Sequence, residues 1–266
     1  MELSVNGRRA FAYTGGRPFD PALPCVVFVH GALHDHSVWT LLARWFAHHG
    51  HAVLALDLPG HGRSEGPPLA SVEATADWVL ALLDAAEVNK AGVVGHSMGS
   101  LIALEVAART PQRIERLVML ATANPMKVSE ALLTTAEKDP MRAIDMVNAF
   151  SFSGIASKPS FPGPGAWLHG GNRALMRRMQ ALQPGINLFH HDFATCDRYA
   201  RGMEAAAQVR CAVSFVLAER DQMTLPKSAR ELAQALNARV ITVPGGHHLL
   251  AEQPDAVLNA VRSALT

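Results

Sequence analysis

The chain has 266 residues, of which 49% are hydrophobic and 18% charged, and its formal net charge is +1. That is enough to build one sizeable core, or one core with a modest insertion. It lacks the clustered basic excess of a nucleic-acid or membrane-surface binder.

In chain order, residues 2–13 alternate in a β-like way around Asn6-Gly7. This dipeptide suits a type I′ hairpin turn because both residues tolerate positive φ. A continuous apolar run, Cys25-Val26-Val27-Phe28-Val29, then fits a strand buried on both faces of a parallel sheet. From there strands and helices alternate. Helix-like 38–49 leads to a strand at 52–56, helix-like 72–86 to a strand at 91–94, and helix-like 101–109 to a strand at 116–121. After about residue 124 the alternation stops. Residues 124–208 are mostly helix-prone, apart from the Gly- and Pro-rich segment 151–171, which is expected to be loop. The alternation resumes with a strand at 212–217, helix-like 227–236, a strand at 239–243 and a closing helix at 255–265. The expectation is an α/β fold with a mostly parallel central sheet flanked by helices. Its core would be residues 1–124 and 209–266, interrupted by a mainly helical insertion at 125–208.

The cysteines Cys25, Cys196 and Cys211 are odd in number and far apart. Neither a disulfide framework nor a metal site is expected of them, and Cys25 and Cys211 read as buried free thiols opening β-like runs. No apolar run is long enough to span a bilayer. The first residues lack the apolar stretch of a secretory signal, so a reducing, cytoplasmic setting is expected.

Four segments carry chemistry. Gly95-His96-Ser97-Met98-Gly99 lies between a predicted strand and a predicted helix, the setting of a nucleophile elbow. The turn would lift the Ser97 hydroxyl above the sheet edge and place the Met98 amide at a helix N-terminus, where it can donate to an oxyanion. His30-Gly31-Ala32-Leu33 follows the strand at 25–29. It can aim a second amide at the same point, with Ala32 as the donor and Leu33 as the alternative. A serine needs a positioned imidazole to take its proton, and only His247 and His248 follow the final predicted strand. The orienting acid should follow the strand at 212–217, where Asp221 is the choice and Glu219 the runner-up.

With these parts in order, the chain closely resembles the α/β-hydrolase fold superfamily, in its serine-nucleophile, esterase-like branch with a helical cap. The resemblance rests on the two turns His30–Leu33 and Gly95–Gly99, on Asp57-Leu58-Pro59-Gly60-His61-Gly62-Arg63-Ser64, on Glu219-Arg220-Asp221, and on Gly246-His247 followed by Glu252-Gln253-Pro254. It implies His247 rather than His248 as the base, Asp221 as the acid, and a cap at 125–208 that shapes substrate choice. The Asp57–Ser64 turn would be structural. Relatives that open epoxides or remove halides carry Asp at the elbow, so Ser97 argues against those reactions and for acyl transfer to water.

The expected activity is hydrolysis of a small, largely apolar ester. The substrate-binding candidates are Leu33, His36, Trp39, Phe150, Trp167 and His248. Further candidates for the cavity wall are Met126, Leu132, Leu133, Met146, Phe152, Phe161, Met176, Met179 and Phe189, with His34, His190 and His191 near the mouth. C–C bond cleavage or amide cleavage on the same triad is the alternative. In carbon–carbon relatives a basic residue holds a substrate carboxylate, for which Arg173, Arg177, Arg178 and Arg198 are candidates. A slow ligand receptor is the alternative of another class. No metal or organic cofactor is implied, because the spacing of His30, His34 and His36 comes without Cys or paired carboxylates. The expected partner is a small-molecule substrate, and oligomeric state is not legible in the sequence.

Overall fold

The computed structural model describes residues 1–154 and 167–265. Strands β1 (Glu2–Val5) and β2 (Arg8–Tyr13) form the first hairpin. They pair antiparallel with Val5 opposite Arg8, and Asn6 and Gly7 turn at φ 51° and 76°. The remaining strands are β3 (Cys25–Val29), β4 (Ala52–Leu56), β5 (Ala91–His96), β6 (Ile114–Leu120), β7 (Ala212–Ala218) and β8 (Arg239–Val243). The sheet order is β1-β2-β4-β3-β5-β6-β7-β8. Among the described residues, only β1 with β2 and β2 with β4 pair antiparallel; every later pair is parallel.

The continuous apolar runs follow from burial on both faces. Val27, Val29, Leu54, Leu56, Val93, Leu117, Met119, Phe215 and Leu217 point to one side. Val26, Phe28, Val53, Ala55, Val94, Val118, Leu120 and Val216 point to the other. This is the period-2 alternation of a strand with an apolar partner on each face. Helix α1 (Thr40–Ala47) fills the second side, entered through a 3-10 turn at His36–Trp39. Helices α2 (Val72–Ala85) and α3 (Met98–Arg109) fill the first. Ser71 caps α2 by accepting from the Ala74 amide at 3.2 Å, which satisfies one of the open donors of its first turn.

Between β6 and β7 lie α4 (Glu130–Lys138), α5 (Pro140–Ser151), α6 (Leu168–Ala181), α7 (Leu188–Arg198) and α8 (Gly202–Ala206). The first four share a small core of their own, in which Ala136, Ile144, Met176 and Phe189 surround Leu33. Asp139, followed by Pro140 at the first helical position, and Asn187 cap α5 and α7. Helix α8 packs against α3, and Gly202 lies so close to the Asn124 side chain that a Cβ there would overlap it. The chain therefore leaves the core and returns to it at one point.

The expected loop at 151–171 is corrected at its end, because α6 starts at Leu168. The Gly171 amide donates to the Trp167 carbonyl at 2.9 Å, and Gly170 sits under the Trp167 ring where no side chain fits. The two glycines thus belong to a first helical turn. The middle of that loop and Phe161 lie outside the described residues.

A 3-10 turn at Pro226–Ala229, α9 (Arg230–Ala235), α10 (Leu249–Glu252) and α11 (Pro254–Leu265) complete the chain. No described helix is long and apolar enough to cross a membrane. The turns after β3, β5, β7 and β8 all open at the carboxyl ends of parallel strands, where open α/β sheets place their ligands.

Candidate active site

β5 ends at His96 and α3 begins at Met98, which leaves Ser97 alone at the turn. Its backbone takes φ 52° and ψ −122°, a conformation that L residues rarely adopt and that elbow turns retain. Two glycines make the turn possible. A Cβ on Gly95 would strike the carbonyl of Gly99, and one on Gly99 would strike the carbonyls of Val29 and His30. These are backbone atoms of sheet and helix, so no rotamer change would relieve the clash.

Ser97 Oγ donates to Nε2 of His247 at 3.0 Å. Nδ1 of His247 lies 2.9 Å from Oδ2 of Asp221. Asp221 is 2% exposed, whereas Glu219 is exposed, so the carboxylate that reaches the imidazole is that of Asp221. Three further donors hold it: the Met223 and Thr224 amides on Oδ1 at 2.8 Å each, and the Thr224 hydroxyl on Oδ2 at 2.7 Å. Burial alone would push the Asp221 carboxyl up. The His247 charge and these hydrogen bonds outweigh it and hold the group below its ordinary range. Glu252 fixes the loop that carries His247, accepting from the Gly246 amide at 2.8 Å and from the Ser153 amide and hydroxyl.

The turn after β3 faces Ser97. Gly31 approaches so closely that a Cβ there would lie 3.2 Å from the Ser97 Cβ. The Leu33 amide is engaged elsewhere, donating to Oδ2 of Asp192 in α7 at 2.9 Å. His61, in the turn after β4, places Nε2 2.9 Å from the same oxygen and Nδ1 3.1 Å from the Pro59 carbonyl. Both ring nitrogens thus face acceptors. Burial would strip His61 of its proton, but the Asp192 carboxylate outweighs it and raises the pKa. Asp192 itself is held well below the usual carboxylate range, because the His61 charge overcomes its burial.

A cavity of about 340 Å³ opens over Ser97 and His247. Of the expected substrate contacts, Phe150 and His248 line it, as do Ala32 and His34. Phe150 is 51% exposed, at the mouth. Four others are not brought there. Leu33 is buried in the small helical core, pinned through its amide. His36 is drawn away by Asp57, whose Oδ1 accepts from its amide and lies 2.8 Å from its Nδ1. Trp39 is 0% exposed and packs on Phe28 with ring centroids 5.1 Å apart. Trp167 is 56% exposed and lies in a separate groove with Phe152 and His169.

Met126, Leu132, Met146 and Met176 line the cavity, whereas Phe152, Met179 and Phe189 are packed away from it. Leu133 packs in the helical core. His190 and His191 are outside the lining, and His191 Nδ1 lies 3.2 Å from Asp192. None of the four candidate arginines reaches the cavity. Arg173 and Arg177 pair with Asp145, Arg178 with Asp35, and Arg198 bonds Thr195. Asn172, Cys196, Gln222 and Thr224 line the cavity without having been singled out in the sequence. Of these, the Asp-x-x-Thr spacing of 221 and 224 is the one signal that sequence could have carried, since Asx turns use it.

Neutral histidines surround the site. Burial pushes His96 down to about 3, with the His247 charge adding to it, and His30 down to about 4, with the His61 charge adding to it. Burial likewise lowers His34 and His248. Among the described residues, Asp35, His36 and Asp57 are close enough together to share a cation. Their oxygens already accept from Ser37, Arg178, His36 and the Arg63 amide, as a hydrogen-bonded turn does.

Residues 24–254 match the alpha/beta hydrolase fold family, and the chain belongs to it. Over 103 residues it is 40% identical to the dihydrolipoyllysine-residue acetyltransferase component of an acetoin cleaving system from Pseudomonas putida, covering 37% of this chain and 26% of that protein. The chain thus spans about a quarter of that relative's length. Over 255 residues it is 25% identical to the Haemophilus influenzae protein named "Putative esterase/lipase", covering 91% of this chain and 83% of the other. In fold it is similar to the enol-lactonase from Burkholderia xenovorans LB400, with a TM-score of 0.84 at 23% identity, covering 100% of this chain and 99% of that one.

Proposed function

We propose that the chain is a serine hydrolase that cleaves a small, uncharged, largely apolar carboxylic ester. The observation that carries the reading is the continuous chain of contacts Ser97 Oγ–His247–Asp221, at 3.0 and 2.9 Å. His247 takes the Ser97 proton as Oγ attacks the ester carbonyl, and Asp221 stabilises the imidazolium that forms. The Ala32 and Met98 amides receive the oxyanion. Met98 opens α3, so its N–H has no partner a turn back. The engagement of Leu33 by Asp192 supports Ala32 over Leu33 as the second donor. His247 then protonates the leaving alcohol, and water repeats the sequence on the acyl-enzyme.

Residues 125–208 act as a cap in this reading, since α4–α7 supply much of the cavity wall. An uncharged substrate is supported by the pairing of the four candidate arginines away from the cavity, which removes the carboxylate grip expected of them in a carbon–carbon hydrolase; Lys127 does line the cavity, but its ammonium donates to the Asp197 carbonyl at 2.7 Å. The name of the Haemophilus influenzae relative supports an ester as the bond cleaved.

The test is a panel of 4-nitrophenyl esters of increasing acyl length, run with wild type and Ser97→Ala. Turnover should be lost to background in the variant, together with fluorophosphonate labelling, while the melting temperature is kept. Retained turnover would remove Ser97 from the mechanism. Labelling of wild type without multiple turnovers on any ester would favour a receptor.

A further inference from the structure

The buried contact between α7 and the turn after β3 takes no part in the bond-making steps above. We propose that Asp192 is a positioning residue that fixes the turn carrying the Ala32 amide against Ser97. The inference rests on the reading of Ala32 and Met98 as oxyanion donors.

Leu33 holds φ 53° with a fully buried side chain. A branched residue stays in the left-handed region only where its surroundings over-determine it. Here the Asp192 carboxylate grips the Leu33 N–H at 2.9 Å, and the His34 amide closes the turn on the Gly31 carbonyl at 3.3 Å. The peptide unit that follows Ala32 therefore has one end tied to a fixed anion, and rotation about it would swing the Ala32 amide off the oxyanion position.

The anion is itself held. His61 Nε2 meets the same oxygen at 2.9 Å while its Nδ1 is anchored on Pro59, and His191 Nδ1 lies 3.2 Å from the other oxygen. The pair solves an electrostatic problem. A bare carboxylate behind the oxyanion turn would oppose the developing negative charge, and the His61 imidazolium cancels it. A buried ion pair of this kind adds little stability over apolar packing, so its place beside a strained turn points to orientation as its role. The same helix brings Phe193 and Cys196 to the cavity wall, so one element sets both the pocket and the turn.

The test is kinetic. Asp192→Ala should lower kcat for a 4-nitrophenyl ester at least about tenfold per competent site, with KM held within about twofold. Competent sites are counted by the final amplitude of fluorophosphonate labelling. A boronic acid that forms a tetrahedral adduct on serine should lose affinity by the same factor as kcat/KM. Asp192→Asn, which keeps an oxygen for the Leu33 amide, should recover most of the rate. The double variant His61→Leu/Asp192→Leu leaves no unpaired ion, so it should fold, and it should show the same loss in kcat. Unchanged kcat per site in the Ala or the double variant, or a rate loss that the boronic acid does not follow, overturns the proposal. Turnover retained by Ser97→Ala would instead overturn the esterase reading beneath it.

Discussion

Lowering the pH from 7 to 5 should destabilise the fold by about 4 kcal/mol through His30 and His96 alone. Each has a structural reason to refuse a second proton. Nε2 of His30 accepts from the Leu58 amide at 3.2 Å while its Nδ1 lies 2.8 Å from the Gly31 carbonyl, so protonation would break the Leu58 bond. His96 faces the His247 carbonyl with Nε2 at 2.9 Å. Its Nδ1 has no hydrogen-bond partner among the described residues and lies 3.1 Å from where a Cβ on Gly31 would stand. Burial first, and neighbouring imidazoles second, lower the two groups to about 4 and about 3 from 6.5.

The unfolded chain takes up a proton at each of these sites near pH 6.5, while the folded chain does not. Stability is therefore lost as pH falls below 6.5, until the folded pKa values are reached. Between pH 7 and 5 that is about 2 kcal/mol for each group. His34 and His248 are lowered too and act in the same direction. His61 has the opposite sign: its raised pKa gives stability that is fully present below 6.5 and lost as pH rises through the folded value. It does not offset the acid loss below 6.5. Asp192 and Asp221, both lowered, contribute stability that persists above the ordinary carboxylate range and is intact at pH 5. Urea unfolding followed by circular dichroism at pH 7, 6 and 5 measures the change. A total stability of about 5–15 kcal/mol makes a loss of that size plain. Stability that is flat or higher at pH 5 would refute the reasoning.

Two substitutions test the elbow and the acid. Gly99→Ala should cost about 3 kcal/mol or more and abolish activity, because its Cβ would meet backbone carbonyl atoms of β3 and the turn after it; thermal unfolding and ester turnover report both effects. Asp221→Asn should lower kcat by about 10⁴ with KM nearly unchanged, since the imidazole loses its tautomer and its counter-charge. A loss confined to KM would contradict that role.

The strands were legible because burial on both faces imposes an unbroken apolar run, as in Cys25–Val29. The start of α3 at Met98 was legible from the elbow motif and not from the apolar pattern, which begins three residues later, because the elbow itself opens the helix. That Ser97, Asp221 and His247 would meet was legible because the resemblance supplies a fixed order and short local motifs. The cavity could not be read in the same way. His36 and Trp39 stand next to a functional turn in sequence, yet Asp57 and Phe28 turn them elsewhere. Asp192 was invisible because its partners His61 and Leu33 lie 131 and 159 positions away.

The meeting of Asn124 and Gly202 has a consequence for how such a chain can diverge. A segment that departs and returns at one point can change in length with little effect on the sheet, because closure entropy grows only with the logarithm of loop length. In the proposed reading, where this segment supplies much of the cavity wall, substrate range is thus free to drift without rebuilding the scaffold. Several contacts tie the segment to the core, among them Asn172 with His34, Arg178 with Asp35 and Tyr199 with Glu105, and the one at Asp192 is the one proposed above to bear on rate. A transplanted segment would have to bring its own acceptor for the Leu33 amide, so new specificity and retained rate would be inherited together or not at all.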